Sequence, residues 1–269
     1  MIFDGVKTAD KIKERLKAKV AKEGLKPKLV IFLSEDNKVG ESYVEQKREV
    51  AEELGVEVEV KKPESVDELK KGLRQASEDS GVDGVMVQLP WGNLEGSKLE
   101  EVLKLIDISK DVDGLNPKTL ELIRKGRVNF LPATVRAIEK IVDQALLETD
   151  KEMNEEFKIA VVGSEGMVGK PLVERFCYFD FEVGQFEEGD DLGDLKDYCV
   201  VISCTGKSSL IKKEMVQDDF VGIDVGFPES DFDFEQVKGK ASFITPVPGG
   251  VGPVTVACLM SNLIEATTG

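Results

Sequence analysis

Tyr43 and Lys47 stand four residues apart in KVGESYVEQKREVAEEL (38–54), a stretch whose periodicity predicts a helix ending at Gly55. Both side chains therefore leave one face of that helix, and Val50, Ala51 and Leu54 continue the face inward. A lysine on an apolar, inward face is costly unless it is paired or functional. Burial lowers the pKa of such an amine and suits it to act as a base or proton donor. The same spacing also fits a lysine whose stem covers apolar surface while its ammonium stays in water, beside a core tyrosine. Gln88 ends the buried strand pattern DGVMVQL (83–89), and Asp113 lies in the loop DISKDVDGLNP. The C-terminal ends of parallel strands open onto the active crevice of such sheets, and a loop carboxylate can accept from a ligand's N–H groups.

The chain has no histidine. That excludes Ser-His-Asp and Cys-His nucleophilic sites, HExxH zinc sites and imidazole proton shuttles. Acid–base work must fall to lysine, tyrosine, cysteine or a carboxylate. Cys177, Cys199, Cys204 and Cys258 show no C-x-x-C spacing, so neither a metal site nor a redox pair is expected. They read as small buried hydrophobes of a reducing cytoplasm. Lys and Arg total 36 against 52 Asp and Glu, a net charge of −16, which argues against nucleic acid and anionic membranes as partners. The N-terminus shows no apolar signal segment, and no run has the length of a membrane span.

A second set of residues points to a nucleotide. KIAVVG (158–163) reads as a strand, and Gly163-Ser-Glu-Gly166-Met-Val-Gly169-Lys-Pro leads from it into a helix. A glycine turn in that position can cradle a pyrophosphate at a helix N-terminus, although its spacing is G-x-x-G-x-x-G rather than G-x-G-x-x-G. A tight turn with no ligand fits the same residues. The next strand ends in Phe186-Glu187-Glu188-Gly189-Asp190, where a dinucleotide fold places the adenosine ribose. Carboxylates there accept from ribose hydroxyls and repel a 2′-phosphate, and Glu165 inside the turn has the same sign. Charge therefore favours NAD over NADP.

The elements that must hold these groups alternate. Residues 9–23 form a helical pattern, LVIFLS (29–34) a strand, VEVEV (56–60) a strand, and Ser65-x-x-Glu68 a capping box before a helix. Helices follow near 97–106, 118–125 and 131–146, the last with Pro132 and Thr134 as its start signal. Strands then recur near 182–186, 199–203, 220–225 and 242–244, and a Pro/Gly loop precedes a helix at about 253–267. The 269 residues suggest about two domains at roughly 150 residues each. Successive β-α-β steps imply parallel sheets with helices on their faces.

Together these motifs resemble the bifunctional methylenetetrahydrofolate dehydrogenase/methenyltetrahydrofolate cyclohydrolase family. The resemblance covers nearly the whole chain in order. It rests on Tyr43-Val-x-x-Lys47, Val87-Gln-Leu-Pro90, Lys110-Asp-Val-Asp-Gly114, Val168-Gly-Lys-Pro171, Ile223-Asp-Val-Gly226 and, most specifically, Thr245-Pro-Val-Pro-Gly-Gly-Val-Gly-Pro-Val-Thr255. It implies an α/β protein of two domains with a cleft between them. A three-layer folate-binding catalytic domain would cover 1–130, completed by the helix 253–269, and a Rossmann-type domain 131–252. It implies oxidation of 5,10-methylene-tetrahydrofolate with NAD(P), then hydrolysis of the methenyl product to 10-formyl-tetrahydrofolate, in a homodimer joined through the Rossmann domains. In that scheme Lys47 activates water or shuttles a proton, Gln88 tunes Lys47, Tyr43 orients the folate and Asp113 holds the pterin. Leu89, Pro90, Pro248, Gly249, Gly250 and Pro253 would complete the folate site. Gly163, Ser164, Glu165, Val168, Gly169, Glu187, Thr205, Gly206, Asp224, Gly226 and Thr255 would line the dinucleotide.

Departures sharpen the expectation. The family's G-R-S turn reads Gly163-Ser164-Glu165 here, so the arginine that would clamp a 2′-phosphate is gone, and its His-Ser-x-Thr region has become acidic. NAD preference is expected. Trp91-Gly92 replaces the second proline of QLPLP, Pro132-Ala-Thr-Val-Arg-Ala137 stands for P-C-T-P-x-G, and Gly40 stands where a serine precedes the tyrosine. Two other readings stay open: a cyclohydrolase whose dehydrogenase activity is weak or lost, and a folate- or nucleotide-binding protein without catalysis.

Overall fold

The periodic segments of the first half become α1 (Gly5–Glu23), β1 (Lys28–Leu33), α2 (Lys38–Leu54), β2 (Glu57–Lys61), α3 (Val66–Glu78), β3 (Gly84–Gln88), α4 (Gly96–Leu103) and α5 (Pro117–Arg124) in a computed structural model that describes residues 1–151 and 157–268. The three strands are parallel in the order β2-β1-β3. Strand side chains alternate between faces. Leu29, Ile31 and Leu33 enter one core with Leu16 and Val20 of α1, Val44, Ala51 and Leu54 of α2, and Leu259 and Leu263 of the C-terminal helix. Val30 and Phe32 enter another with Leu69 and Leu73 of α3 and Val102 and Leu103 of α4. Burial on both faces explains why β1 reads as a continuous apolar run, and it gives three layers. Ser65 caps α3 as its capping box predicts, accepting from the Glu68 amide at 3.2 Å.

The second half gives α6 (Ala133–Thr149), β4 (Lys158–Val162), α7 (Gly169–Tyr178), β5 (Glu182–Phe186), β6 (Val200–Ser203), β7 (Val221–Asp224), α8 (Phe234–Val237), β8 (Phe243–Ile244) and α9 (Val251–Thr268). Its parallel sheet runs β5-β4-β6-β7-β8. The chain leaves β4 toward β5 on one side and returns to β6 on the other, the switch point at which parallel sheets of this kind bind ligands. α6 begins at Ala133, which puts Thr134 inside the helix rather than at its cap.

The compact units are residues 10–122, 127–133 and 256–269 around the first sheet, and residues 1–9, 123–126 and 134–255 around the second. Residues 152–156 and Gly269 within those ranges lie outside the described residues. The sequence boundaries differ from this division at the N-terminus, because Met1–Phe3 extend the second sheet. Ile2 bridges Ile244 in parallel, the Phe3 amide donates to the Ile244 carbonyl at 2.9 Å, and Phe3 packs on Phe243 at 5.4 Å between ring centroids. Three residues are too few to show a period. Cys258 is buried as expected, whereas Cys177 is exposed. Among the described residues no helix is long and apolar enough to cross a membrane.

Candidate active site

α2 delivers Lys47 because its apolar face, Val44, Ala51 and Leu54, is drawn into the core of the first unit. Lys47 is 9% exposed, and its Nζ donates to Gln88 Oε1 at 2.6 Å. Gln88 sits at the end of β3 opposite Leu33 of β1, so the amide is held by the sheet itself. Its Nε2 donates to the Leu89 carbonyl at 3.1 Å, which fixes which end of the amide meets the lysine. Nζ lies 5.7 Å from the centre of the Tyr43 ring. Burial pushes the Lys47 pKa below the usual lysine range, and the nearby Asp113 carboxylate opposes that shift. Burial raises Asp113 in turn, against the pull of Lys47. Tyr43 is pushed up to about 12 by burial and stays a neutral phenol at physiological pH. The four groups Tyr43, Lys47, Gln88 and Asp113 therefore form one coupled site that can hold or move a proton at a buried amine.

Three further residues shape this site, and no local pattern shows which groups they hold. Asn37 caps α2 by accepting from the Gly40 amide at 2.7 Å, and its Nδ2 donates to the Pro90 carbonyl at 2.8 Å. A Cβ on Gly40 would lie 2.3 Å from Asn37 Nδ2, so the missing serine is the condition for this cap. Asp111 is 2% exposed, and its Oδ2 accepts from the Asn116 amide at 2.7 Å, closing the loop that carries Asp113. Burial raises Asp111 to about 6. Asn262 of α9 donates from Nδ2 to the carbonyls of Val112, at 2.8 Å, and Leu131, at 2.9 Å. Trp91 does not point into this arrangement; it is buried in the core with Leu69 and Val102. A cavity of about 580 Å³ opens beside it, lined by Ser34, Lys70, Asn93 and Lys98.

The remaining folate-site residues expected from the sequence fall in the second unit. The Gly249 carbonyl accepts from the Gly5 amide at 3.0 Å, Pro248 is exposed, Gly250 is buried and Pro253 is in the first turn of α9. Gly250 has no room for a side chain, since a Cβ would lie 2.4 Å from the Pro246 carbonyl.

The glycine turn after β4 is built for close approach. Gly163 adopts φ +80°, and a Cβ on Gly169 would meet the Gly163 carbonyl oxygen at 2.0 Å. Val168 caps α7 without a side-chain bond, Pro171 has no N–H to offer, and the Lys170 amide is used on the Gly166 carbonyl at 3.0 Å, so the turn closes on its own backbone. Glu187, just past β5, turns back onto this loop: its Oε1 accepts from Ser164 Oγ at 2.7 Å and from the Glu165 amide at 2.6 Å. The other acids are compensated. Glu165 pairs with Lys170 at 2.7 Å, Glu188 pairs with Lys207 at 2.6 Å, and Asp190 accepts from the Glu187 amide at 2.7 Å. Asp224, expected at the dinucleotide, spends its carboxylate internally on the amides of Gly226, Asp231 and Phe232 and the Ser230 hydroxyl. Thr205 and Gly206 lie just past β6, and Thr255 Oγ1 is buried without a hydrogen-bond partner. The narrow glycine cradle at the start of α7 and the carboxylate beyond β5 fit a nicotinamide dinucleotide.

Comparison with known proteins agrees with both halves. Residues 3–113 match the model of the tetrahydrofolate dehydrogenase/cyclohydrolase catalytic domain, and residues 132–269 match that of the family's NAD(P)-binding domain. The chain is 34% identical over 283 residues to the bifunctional protein FolD of Nautilia profundicola, covering 98% of this chain and 96% of that one. It is 34% identical to its counterpart in Hydrogenobaculum sp., covering 98% of each. The crystal structure of the bifunctional methylenetetrahydrofolate dehydrogenase/cyclohydrolase FolD from Campylobacter jejuni superposes with a TM-score of 0.91 at 29% identity, covering 100% of this chain and 98% of that one. With its two α/β units, its buried Lys47–Gln88 pair and its glycine turn, the chain belongs to the tetrahydrofolate dehydrogenase/cyclohydrolase family of enzymes.

Proposed function

We propose that the protein oxidises 5,10-methylene-tetrahydrofolate with NAD as the preferred hydride acceptor and hydrolyses the methenyl product to 10-formyl-tetrahydrofolate at Lys47. The single observation that carries the hydrolytic half is the 2.6 Å bond between a buried Lys47 Nζ and Gln88 Oε1. Desolvation lowers the pKa of this lysine and so favours the neutral amine, which can take a proton at Nζ from an attacking water. Gln88 orients the amine, Asp113 limits its loss of charge, and Tyr43 offers a neutral ring against which a flat substrate can stack. Dehydrogenation needs positioning above all, because a bound nicotinamide accepts the hydride itself.

The cofactor preference rests on Glu187. Its carboxylate caps Ser164 and the Glu165 amide, so a carboxylate occupies the position where a 2′-phosphate needs a cation. With Glu165 and Glu188 paired to lysines, this one residue carries the argument that the sequence spreads over four acids. The exposed Leu147, Tyr178 and Phe179 on the second unit support a homodimer formed through it, which light scattering measures directly. The deciding experiment is a side-by-side assay of methylene-tetrahydrofolate oxidation with NAD and NADP. An efficiency with NAD at least about tenfold higher, a difference of roughly 1.4 kcal/mol, is expected. Equal or higher efficiency with NADP overturns the charge argument. Hydrolysis with no oxidation by either nucleotide selects instead a cyclohydrolase with lost dehydrogenase activity.

A further inference from the structure

Asp231 follows β7 and is fully buried. Its Oδ2 accepts from four donors on the loop that leaves β6: Ser203 Oγ at 2.7 Å, the Thr205 amide at 2.9 Å, Thr205 Oγ1 at 2.9 Å and the Gly206 amide at 3.3 Å. Both groups of Thr205 and the amide of Gly206 thus converge on one carboxylate oxygen. The loop is also pressed against the glycine turn: a Cβ on Gly163 would lie 3.1 Å from the Cys204 carbonyl and 3.3 Å from Thr205 Cγ2.

Asp231 is itself held from behind. Its amide donates to Asp224 Oδ1 at 3.2 Å, and the Ile211 amide donates to its carbonyl at 2.9 Å. Asp224, at the end of β7, binds the backbone of 226–232 with the rest of its carboxylate, and its own amide donates to Thr245 Oγ1 at 2.7 Å. The gap between the two carboxylates is so narrow that a Cβ on Gly226 would lie 2.5 Å from Asp231 Oδ1 and 2.9 Å from Asp224 Oδ1. A chain of bonds therefore runs from β7 through Asp224 and Asp231 to the Thr205–Gly206 loop and the glycine turn.

We propose that Asp231 is a positioning residue for the dinucleotide: it holds the Thr205–Gly206 loop in its binding conformation without touching the ligand. A carboxylate is suited to this, since each of its oxygens can accept from several donors and hydrogen bonds to an ionised acceptor are about twice as strong as neutral ones. The proposal rests on the reading that Thr205 and Gly206 face the dinucleotide. The Lys47 chemistry belongs to the other unit, so hydrolysis serves as an internal control within the same enzyme.

The test is Asp231→Asn in the full-length protein, which keeps the shape and one acceptor oxygen but removes the charge. The Michaelis constant for the dinucleotide is expected to rise about tenfold, with dehydrogenase kcat at saturation changed by less than about threefold. The Michaelis constant for the folate and the hydrolysis rate should stay within about twofold of the unaltered enzyme. Asp231→Ala should exceed Asp231→Asn in its effect on the dinucleotide. An unchanged dinucleotide constant in Asp231→Asn, or a parallel fall of both activities, overturns the proposal; a parallel fall marks a general role in stability. Amide hydrogen exchange on the unaltered enzyme tests the underlying reading separately. Added NAD should slow exchange across 203–208, and no protection there would show that this loop does not face the dinucleotide, whatever the variants do.

Discussion

Replacing Gln88 by glutamate tests whether the charge state of Lys47 governs hydrolysis. The substitution keeps the length of the side chain and puts a carboxylate where Oε1 now lies, 2.6 Å from Nζ. At an effective dielectric of about 20 a full charge at that distance interacts with the ammonium by about 6 kcal/mol. The new carboxylate spreads its charge over two oxygens and is costly to bury, so a quarter of that figure, about 1.5 kcal/mol, is a conservative value. That is roughly one pKa unit upward for Lys47. The sign follows from the site as it stands: burial holds Lys47 low, Asp113 is the one acid opposing it, and Gln88→Glu adds a second. The rising limb of the hydrolysis pH profile, read from the loss of methenyl absorbance with the uncatalysed rate subtracted, should move up by at least about one pH unit. On that rising limb the rate at a fixed pH should fall by about tenfold and recover as the pH is raised. Lys47→Met, which has no proton to exchange, should lose hydrolysis at every pH while keeping the fold. A Gln88→Glu enzyme with an unshifted profile, or a Lys47→Met enzyme that still hydrolyses, would refute the assignment.

Two further substitutions probe the supports of the site. Asn262→Leu leaves the Val112 and Leu131 carbonyls without the amide they share, which should cost about 2–4 kcal/mol in urea unfolding and raise the folate Michaelis constant, because the loop bearing Asp113 loses its tie to α9. A stability within about 0.5 kcal/mol of the unaltered chain would show that those carbonyls need no partner. Asp111→Asn tests a pH dependence. Asp111 is raised to about 6 in the fold, above its unfolded value near 3.8, so the native state takes up its proton first and gains stability as pH falls through about 6. Between pH 7 and 4.5 that gain is about 2 kcal/mol, and the variant should lack it. Identical stability differences in the two proteins would show that Asp111 is not raised.

The residues proposed to do chemistry were legible where they fall on a local pattern. α2 spans Lys38–Leu54 as its period predicts, and the inward face that carries Val44, Ala51 and Leu54 necessarily carries Lys47. Gln88 was legible because a strand followed by a proline ends at a known edge. What holds these groups was not. Asn37 reaches 53 residues along the chain to Pro90, Asn262 reaches 150 to Val112, and Asp231 reaches 26 to Thr205; each is a single polar side chain, two in loops and one in α9, and no local pattern shows a partner so far along the chain. The acidic cluster failed in the opposite way. Glu165, Glu187, Glu188 and Asp190 look equivalent in sequence, and only the fold shows that Lys170 and Lys207 neutralise two of them while Glu187 turns onto the glycine turn.

A protein without histidine must do its acid–base work at another group, and neither burial nor charge pairing alone gives a lysine that both takes and releases a proton readily. Burial by itself drives a lysine far below its ordinary range, where it is a weak base with little ammonium to donate. Pairing with a carboxylate by itself drives it up, where it holds its proton too firmly to give it up. Lys47 experiences both: desolvation is the larger effect, and Asp113 pulls against it. Gln88 adds an acceptor that binds the amine in either protonation state and so fixes its position without choosing its charge. This division explains why an amide rather than a carboxylate meets Nζ directly. A carboxylate at 2.6 Å would decide the titration; an amide leaves it to the balance between the apolar face of α2 and one more distant acid. The Asp113 loop is therefore the adjustable part, and its anchoring by Asp111 from within and Asn262 from α9 makes the poise of Lys47 a property of the whole first unit rather than of one contact.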